Sequence, residues 1–238
     1  MTPLQNILEA FRQAAQTERE KGTYFEELIC TYFRYEATYA DLYSDVWMFG
    51  DWAKEHPEFG ISANDTGIDL VAKTRGSNEY HAIQCKCYAE DYRLQKGDID
   101  SFFTASGQKP FIHRIIVATT NNWSDNAEAS LFNQQPPVNK IDLHDLENSQ
   151  IEWSKYQPNE QPVLRPKFDP KPHQTTAINA VKAGFKKADR GKLIMACGTG
   201  KTFTSLKIAE DMAGKGKRVL FLVPSLSLLS PTLTEWTQ

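Results

Sequence analysis

Prolines divide this chain into two unequal parts. Of its 12 prolines, seven fall between Pro136 and Pro172. Proline lacks a backbone hydrogen-bond donor and interrupts regular structure, so no long helix or strand is expected through this stretch. The 238 residues are therefore predicted to form a first domain over 1–150, a linker over 151–165 and the start of a second domain over 166–238.

Net charge separates the same two parts. Residues 166–238 hold 12 Lys and Arg against 5 Asp and Glu, a net charge of +7. The whole chain holds 27 and 30, which leaves 15 and 25 for the first 165 residues, a net charge of −10. Neutralisation of phosphates dominates the affinity of proteins for DNA. The second part therefore has the charge expected of a DNA-binding domain, whereas the first part does not.

Composition excludes several other classes of protein. Apolar residues make up 40% of the chain and charged residues 24%, as in ordinary globular domains, which excludes a disordered chain. The 4 cysteines are scattered and the N-terminus lacks the pattern of a signal peptide, which favours reduced thiols. The longest apolar runs are too short to cross a bilayer, so no membrane partner is expected.

Apolar periodicity predicts alternating helices and strands, and hence an α/β fold. In the first part, a helix that ends at Gly22 and a second over 25–33 precede a loop region rich in Asp, Trp and Gly. The predicted strands that follow cover 67–73, 80–88, 114–119 and 138–143. In the second part, the predicted elements are a helix over 174–188, a buried strand over 193–196, a helix to Gly214 and a strand over 218–223.

Three polar residues lie on the predicted strands of the first part. Gln84 and Lys86 follow Asp69 by 15 and 17 residues. Side chains alternate between the faces of a strand, so Gln84 and Lys86 share one face while Cys85 points towards the core. Phosphodiester hydrolysis needs a carboxylate that holds a divalent metal and a lysine that orients water and stabilises charge. A cross-strand ion pair between Asp69 and Lys86 is the alternative explanation.

Three short motifs follow one another in this part: Gly22-Thr-Tyr-Phe25-Glu26, Gly67-Ile68-Asp69 and Gln84-Cys85-Lys86. Their order resembles the Mrr-like branch of the PD-(D/E)xK restriction endonucleases. The resemblance implies a restriction-endonuclease-like mixed sheet flanked by helices. It also implies that Asp69, Gln84 and Lys86 are catalytic, with Asp69 as the main Mg²⁺ ligand and Lys86 acting like a base or orienting the attacking water. The backbone carbonyl of Cys85 would join the metal shell.

Gln84 stands where the wider superfamily has a second acid, and an amide is a weaker, neutral ligand. Glu26 would restore the missing charge, which gives the expected metal set Glu26, Asp69, Gln84 and Cys85.

Other interpretations of the acidic residues stay open. Thr23 and Glu26 also have the spacing of a capping box, in which Glu26 would accept a hydrogen bond from the Thr23 amide. Glu27 is a neighbouring candidate ligand. Asp65 is a further candidate, although an Asp in a loop before glycine is more often a turn residue.

A glycine-rich loop joins a predicted strand to a predicted helix in the second part. It contains Gly198, Thr199, Gly200, Lys201 and Thr202. Such a loop cradles phosphates with backbone amides and the positive end of a helix. Lys201 would reach the β- and γ-phosphates of ATP, and the Thr202 hydroxyl would coordinate Mg²⁺. The loop lacks the first glycine of the common pattern and resembles the form found in superfamily 2 helicases and restriction translocases.

Two further segments resemble the same helicases. Gln174 opens a helix upstream of the loop, where the family uses Gln to bind adenine; Phe168 or Arg165 would pack on the base. A polar residue at a helix start is the alternative for Gln174. Downstream, residues 222–225 resemble motif Ia, which contacts the DNA backbone. No Asp-Glu pair of a Walker B strand follows Thr202. An incomplete RecA-like parallel α/β segment, truncated after motif Ia and unable to hydrolyse ATP alone, is therefore expected.

Together the two parts resemble the N-terminal part of type ISP restriction-modification enzymes, which are single-chain and ATP-dependent. The resemblance implies a Mg²⁺-dependent endodeoxyribonuclease that the attached translocase brings to double-stranded DNA. The implied partners are the remaining motor, methyltransferase and target-recognition domains of the same polypeptide, with ATP in the complete enzyme and a cytoplasmic location in a prokaryote. The alternatives are a degenerate nuclease fold that docks DNA or protein, and a helicase with a structural N-terminal domain.

Overall fold

The fold is seen in a computed structural model that describes residues 1–62, 67–166, 168–196, 198–214 and 217–223, together with Thr232 and Trp236. The chain forms two compact units, Met1–Arg165 and Pro166–Gln238. Within the described residues no helix combines the length and apolarity needed to cross a membrane.

One mixed five-stranded sheet forms the centre of the first unit. Its strands are β1 (Tyr43–Met48), β2 (Leu70–Thr74), β3 (Tyr80–Lys86), β4 (Phe111–Ala118) and β5 (Val138–Ile141). Each strand pairs with the next one along the chain. The pairs β1–β2 and β2–β3 are antiparallel, whereas β3–β4 and β4–β5 are parallel. The predicted mixed α/β sheet is therefore confirmed.

Helices cover both faces of this sheet. They are α1 (Pro3–Ala14), α2 (Glu18–Tyr35), α3 (Ala37–Leu42), α4 (Phe49–Glu55), α5 (Asp100–Ser106), α6 (Asp125–Leu131) and α7 (Leu143–Glu147). On one face, Phe25 of α2 belongs to a core with Ile83 and Val117. On the other, Trp52 of α4 belongs to a core with Ala82 and Ile116. Neighbouring residues of β3 and β4 thus enter opposite cores, as the alternation of a strand requires.

The first two helices meet at a different place from the predicted one. α1 ends at Ala14 and α2 begins at Glu18, so Gly22 lies inside α2 and does not end a helix. The side chain of Thr17 accepts a hydrogen bond from the Glu20 amide at 3.1 Å and caps α2. Burial of Phe25 and its neighbours on α2 offsets the cost of an internal glycine, which is about 1 kcal/mol.

Strand β1 and helix α4 occupy the stretch that was predicted to be a loop. β1 is the edge strand of the sheet, and its residues Ser44 and Asp45 are exposed. An edge strand with polar residues has no clear alternation of apolar side chains, which is why periodicity misses it.

Residues 151–165, the expected linker, are packed onto the first unit. Ile151 forms an antiparallel bridge to Leu164. Trp153 is buried, and its indole Nε1 donates to the Leu146 carbonyl at 2.8 Å. The amide of Gln150 donates to the buried carboxylate of Glu36 at 2.8 Å. This proline-containing stretch therefore closes the first core instead of running free.

The second unit contains α8 (Pro172–Phe185) and α9 (Lys201–Ala213), close to the two predicted helices. The predicted strands over 193–196 and 218–223 do not form among the described residues. Ile194 is 80% exposed and Leu220 83% exposed. A buried parallel strand needs hydrogen-bonded neighbours, and the described part of this unit offers none. The motif Ia residues 224–225 lie outside the described residues.

Candidate functional site

The three polar residues of the first unit meet at one edge of the sheet. Asp69 immediately precedes β2, and Lys86 ends β3. The antiparallel register pairs Leu70 with Ile83, which places Asp69 beside Gln84. The Asp69 amide donates to the Ile83 carbonyl at 2.9 Å. The start of one strand and the end of the next thus bring together residues that are 15 and 17 positions apart.

The carboxylate of Asp69 contacts the backbone of the neighbouring strand. The Cys85 amide donates to Asp69 Oδ2 at 2.6 Å, a charge-assisted hydrogen bond that fixes the carboxylate. In an extended strand the N–H and C=O groups of one residue point to the same side. The Cys85 carbonyl therefore points towards the Asp69 side of β3. Its thiol lies on the opposite face of β3 from Gln84, packed against the α2 core, as predicted.

Gln84 has one satisfied and one unsatisfied amide atom. Its side chain is 2% exposed, and Nε2 donates to the Gly67 carbonyl at 3.0 Å. Oε1 is buried and has no hydrogen-bond partner among the described residues. Buried polar atoms are rarely left without a partner, so this oxygen is a candidate ligand atom.

Gly67 supports this arrangement through its own backbone. Its φ is +89°, a conformation that favours glycine. A Cβ at this position would also lie 3.1 Å from Ser101 Oγ and 3.4 Å from the Phe102 amide. The glycine of the Gly67-Ile68-Asp69 motif is therefore needed to place the carbonyl that holds Gln84.

Lys86 is half-buried at the end of β3. The ion pairs between described residues include none between Lys86 and Asp69. The cross-strand ion pair, which would have explained both residues without a function, is thus not found.

Glu26 lies within α2 and is half-buried, whereas Glu27 is exposed. The capping-box interpretation of Thr23 and Glu26 is wrong, because α2 begins at Glu18 with Thr17 as its cap. The Thr23 hydroxyl instead donates to the Arg19 carbonyl at 3.1 Å.

The charges of Glu26 and Asp69 both affect the thiol of Cys85. Burial raises the pKa of the Cys85 thiol well above its usual value, and the charges of Asp69 and Glu26 raise it further. Both carboxylates therefore act on the same side chain of β3. Asp65, the further candidate, lies outside the described residues.

The donor set can be tested against a divalent metal. Among the described residues, no three His, Cys, Asp or Glu side chains form a metal-binding group. The expected set differs in kind, because it combines two carboxylates with an amide oxygen and a backbone carbonyl. These oxygen donors suit Mg²⁺, and the unsatisfied Gln84 Oε1 is the atom that such an ion would satisfy.

The glycine-rich loop of the second unit has the backbone of a phosphate cradle. Gly198 and Gly200 have φ of +75° and +76°. Gly200 precedes α9, and no side chain caps the helix, so the first amides stay available for an anion. The Lys201 ammonium donates to the Ala196 carbonyl at 3.0 Å, across the loop. Thr202 occupies the first turn of α9 and is half-buried.

Gln174 contacts this loop directly. It is 5% exposed, and Nε2 donates to the Thr199 carbonyl at 3.1 Å. Its Oε1 accepts from the Lys171 amide at 2.9 Å, so Gln174 also stabilises the start of α8. Both interpretations of Gln174 thus have a structural basis. A cavity of about 380 Å³ beside it is lined by the glycine loop and Phe168. Arg165, the alternative partner for a base, belongs to the first unit.

Sequence reasoning missed His173 in this second site. The His173 Nε2 and the Thr199 carbonyl are 3.1 Å apart, so this residue also holds the loop. Its position directly before Gln174 was the only available signal.

Comparisons with known proteins agree with the two units. A protein-family model described as "Restriction endonuclease" matches residues 34–163. A second, described as "Type III restriction enzyme, res subunit", matches residues 167–238. No curated protein matches the chain.

Two solved structures are similar to the chain. The ATP-dependent Type ISP restriction-modification enzyme LlaBIII bound to DNA is 35% identical, with a TM-score of 0.75, over 97% of this chain and 14% of that one. The chain thus spans about one seventh of that enzyme's length. The MspJI restriction endonuclease in complex with a 27-mer oligonucleotide is 16% identical over 56% of this chain and 33% of that one. The TM-score of this second match is 0.28.

Proposed function

The chain belongs to the restriction endonuclease family, with a helicase-like region of the type III res-subunit kind fused to it, and we propose from that premise that its first unit is a Mg²⁺-dependent endodeoxyribonuclease. We propose further that the chain is the N-terminal part of a single-chain, ATP-dependent restriction-modification enzyme. The similarity to the LlaBIII enzyme along nearly the whole chain supports this proposal.

One observation carries the nuclease proposal. Asp69 Oδ2 accepts from the Cys85 amide, and the strand register places Asp69 beside Gln84, whose Oε1 is unsatisfied, where Lys86 ends β3. This edge offers three kinds of oxygen donor and one amine. A structural ion pair needs neither a buried amide oxygen without a partner nor a carbonyl turned towards a carboxylate.

The residues of the chain have distinct roles in this proposal. Asp69, Gln84 Oε1, the Cys85 carbonyl and Glu26 would hold the metal, which supplies an activated water and neutralises developing charge. Lys86 would orient the attacking water and stabilise the charge that develops on the phosphate. The Cys85 amide keeps the Asp69 carboxylate in one orientation. In-line attack would leave a 5′-phosphate and a 3′-hydroxyl.

The second unit, as part of the motor, would bring the nuclease unit to DNA. Gly198, Thr199, Gly200, Lys201 and Thr202 would bind the phosphates of ATP, with Gln174 beside the base. Its net charge of +7 favours double-stranded DNA as the partner, while the −10 of the first 165 residues disfavours independent binding. The remaining motor, methyltransferase and target-recognition domains would complete the enzyme. A DNA substrate and the free thiols of Cys30, Cys85 and Cys87 favour a cytoplasmic location.

Cleavage of plasmid DNA by the intact protein, with ATP and Mg²⁺, tests the nuclease proposal. Asp69→Ala and Lys86→Ala are each expected to lower the cleavage rate on the order of 10²-fold or more, while ATP hydrolysis continues. The exposed ion pair of Asp51 and Lys54, 3.1 Å apart, provides matched controls, and Asp51→Ala and Lys54→Ala should cleave normally. Undiminished cleavage in both site variants would overturn the nuclease proposal.

A further inference from the structure

The strand that carries Lys86 ends at that residue, yet the chain beyond it stays fixed. The ladder between β3 and β4 closes with Lys86 paired to Ala118. The Thr119 amide still donates to the Lys86 carbonyl, at 3.0 Å. After Lys86, side chains form hydrogen bonds to the backbone groups that a continued strand would pair with its neighbour.

Thr119 holds the residue two positions after Lys86 at both of its backbone groups. The Tyr88 amide donates to Thr119 Oγ1 at 2.8 Å, and Thr119 Oγ1 donates to the Tyr88 carbonyl at 2.6 Å. Arg12 of α1 donates to the same carbonyl at 2.8 Å. Thr119 is fully buried, so water does not compete for these bonds.

Thr120 continues the pattern along the segment. Its fully buried hydroxyl lies 2.9 Å from the Glu90 carbonyl and 2.8 Å from the Tyr92 carbonyl. The Leu94 amide then donates to the Asn122 carbonyl at 2.9 Å. Alternate residues from Lys86 to Leu94 are thus held by three residues that follow β4, namely Thr119, Thr120 and Asn122. A strand end would otherwise fray, because its last residue has a partner on one side only.

We propose that Thr119 is a positioning residue for Lys86, and this inference rests on the proposed nuclease function. By fixing the backbone on both sides of Cys87, Thr119 sets the place from which the Lys86 ammonium reaches the scissile phosphate. A displacement of about 1 Å in such a group costs on the order of 10²-fold in rate. Thr120 and Arg12 act on the same segment but do not contact the Lys86 backbone.

Single-turnover cleavage at saturating DNA by the intact protein tests this role. Thr119→Val removes the hydroxyl at nearly constant volume and is expected to lower the cleavage rate about 10- to 100-fold, with unchanged DNA affinity. Thr119→Ser keeps the hydroxyl and is expected to cleave within threefold, roughly, of the wild-type rate. Thr74→Val is the matched control, because Thr74 is also buried and hydrogen-bonded but ends β2 far along the strand from Asp69.

A second measurement follows the segment itself. Hydrogen exchange at the Tyr88 amide should accelerate in Thr119→Val and stay slow in Thr119→Ser and Thr74→Val. Arg12→Met, on a partly exposed residue, should give a smaller change of the same sign, without endangering the fold.

The outcomes separate the two proposals. Cleavage by Lys86→Ala at the wild-type rate would overturn the nuclease proposal, and the role of Thr119 with it. If Lys86→Ala is inactive while Thr119→Val cleaves normally, only the positioning role is overturned. Equal losses in the Val and Ser variants, or an equal loss in Thr74→Val, would also overturn it, because a purely structural contribution would then explain the data.

Discussion

At the scale of single residues, the candidate site depends on polar side chains that backbone groups of the sheet hold in place. Asp69 is tied by a backbone amide, and Gln84 is tied by Gly67. Gln84 does not use its full hydrogen-bonding capacity, since its Oε1 has no partner among the described residues. The site is thus fixed in place before any ligand arrives.

Gln84→Glu tests this arrangement without measuring cleavage. The substitution removes the donor to the Gly67 carbonyl and buries an acid, so we expect a loss of about 1–3 kcal/mol of stability without metal. Mg²⁺ should restore more stability to this variant than to the wild type, since a carboxylate binds the ion more strongly than an amide does. Thermal unfolding with and without Mg²⁺ measures both effects. Equal metal responses in the two proteins would argue against Gln84 as a ligand.

His81 should make the stability of the protein pH-dependent. Burial, with a smaller contribution from the neighbouring His113, lowers its pKa to about 4. Its Nδ1 lies 2.8 Å from the Tyr43 hydroxyl. In the unfolded chain the imidazole has its ordinary pKa of 6.5, so the unfolded state binds the proton first. Stability is therefore fully present above pH 6.5 and is lost as the pH falls towards 4.

Urea unfolding of the chain at pH 7.5, 5.5 and 4.5 measures this effect. His81→Gln should flatten the decline between pH 6.5 and 4. His144→Gln, on the exposed side of α7, should leave it unchanged. A decline of the same steepness in His81→Gln would assign the pH dependence to other groups.

At the scale of elements, a buried arginine links three segments of the first unit. Arg114 of β4 is 2% exposed and donates to the Phe103 carbonyl in α5 and to the Pro136 carbonyl before β5. Burial lowers the pKa of its guanidinium. Carbonyl oxygens at the end of a helix are favourable partners for such a cation.

Gly107, directly after α5, allows this contact. A Cβ there would lie 2.9 Å from the Phe103 carbonyl oxygen and 3.1 Å from an Arg114 nitrogen. Gly107→Ala should therefore destabilise the first unit by about 1–3 kcal/mol, as expected for a disrupted buried hydrogen bond. Gly97→Ala, whose Cβ would meet nothing within 4 Å, is the control in the same unfolding assay. Equal stabilities would contradict the role assigned to Arg114.

The glycine loop of the second unit makes a similar prediction for nucleotide binding. A Cβ on Gly200 would lie 2.4 Å from Gln174 Nε2, at a φ of +76°. Gly200→Ala should therefore displace Gln174 and weaken ATP binding by the intact protein about tenfold or more. Gly191→Ala, with open space around it, should bind ATP normally. Titration with a fluorescent ATP analogue measures the affinity, and normal binding by Gly200→Ala would contradict the assignment.

The elements also show why some of the fold could be predicted and some could not. Apolar alternation in β3 and β4 reflects two cores, so Gln84, Lys86 and the core-facing Cys85 were assigned to the correct faces. β1 could not be predicted because an edge strand has no such alternation. The prediction that a helix ends at Gly22 is wrong because the local preference of glycine is weaker than the packing of α2. The proximity of Gln84 to Gly67 depends on register, which no local pattern specifies.

The strands predicted in the second unit failed for a different reason. Residues 193–196 and 218–223 have the composition of buried strands, yet a strand forms only against a neighbour. The apolar composition of these segments therefore indicates buried strands, whereas side chains such as Ile194 and Leu220 are exposed in the structure.

At the scale of the whole molecule, the two units differ in net charge and in the candidate site that each contains. The acidic first part carries the candidate nuclease site, and the basic second part carries the candidate ATP site. Cleavage should therefore depend on ATP in the intact protein. Plasmid cleavage with ATP, with a non-hydrolysable analogue and without nucleotide measures this dependence. Equal cleavage in all three would mean that the nuclease finds DNA without the motor.

The strand order of the sheet affects how the protein can fold during its synthesis. Every strand pairs with its neighbour in the chain, and the last pairing, together with Trp153, is complete within the first unit. Such a unit is able to fold on the ribosome before later residues emerge. Under the proposed function, the candidate nuclease site would then be folded before the second unit is complete. The net charge of −10 on the first unit disfavours binding to DNA during this interval.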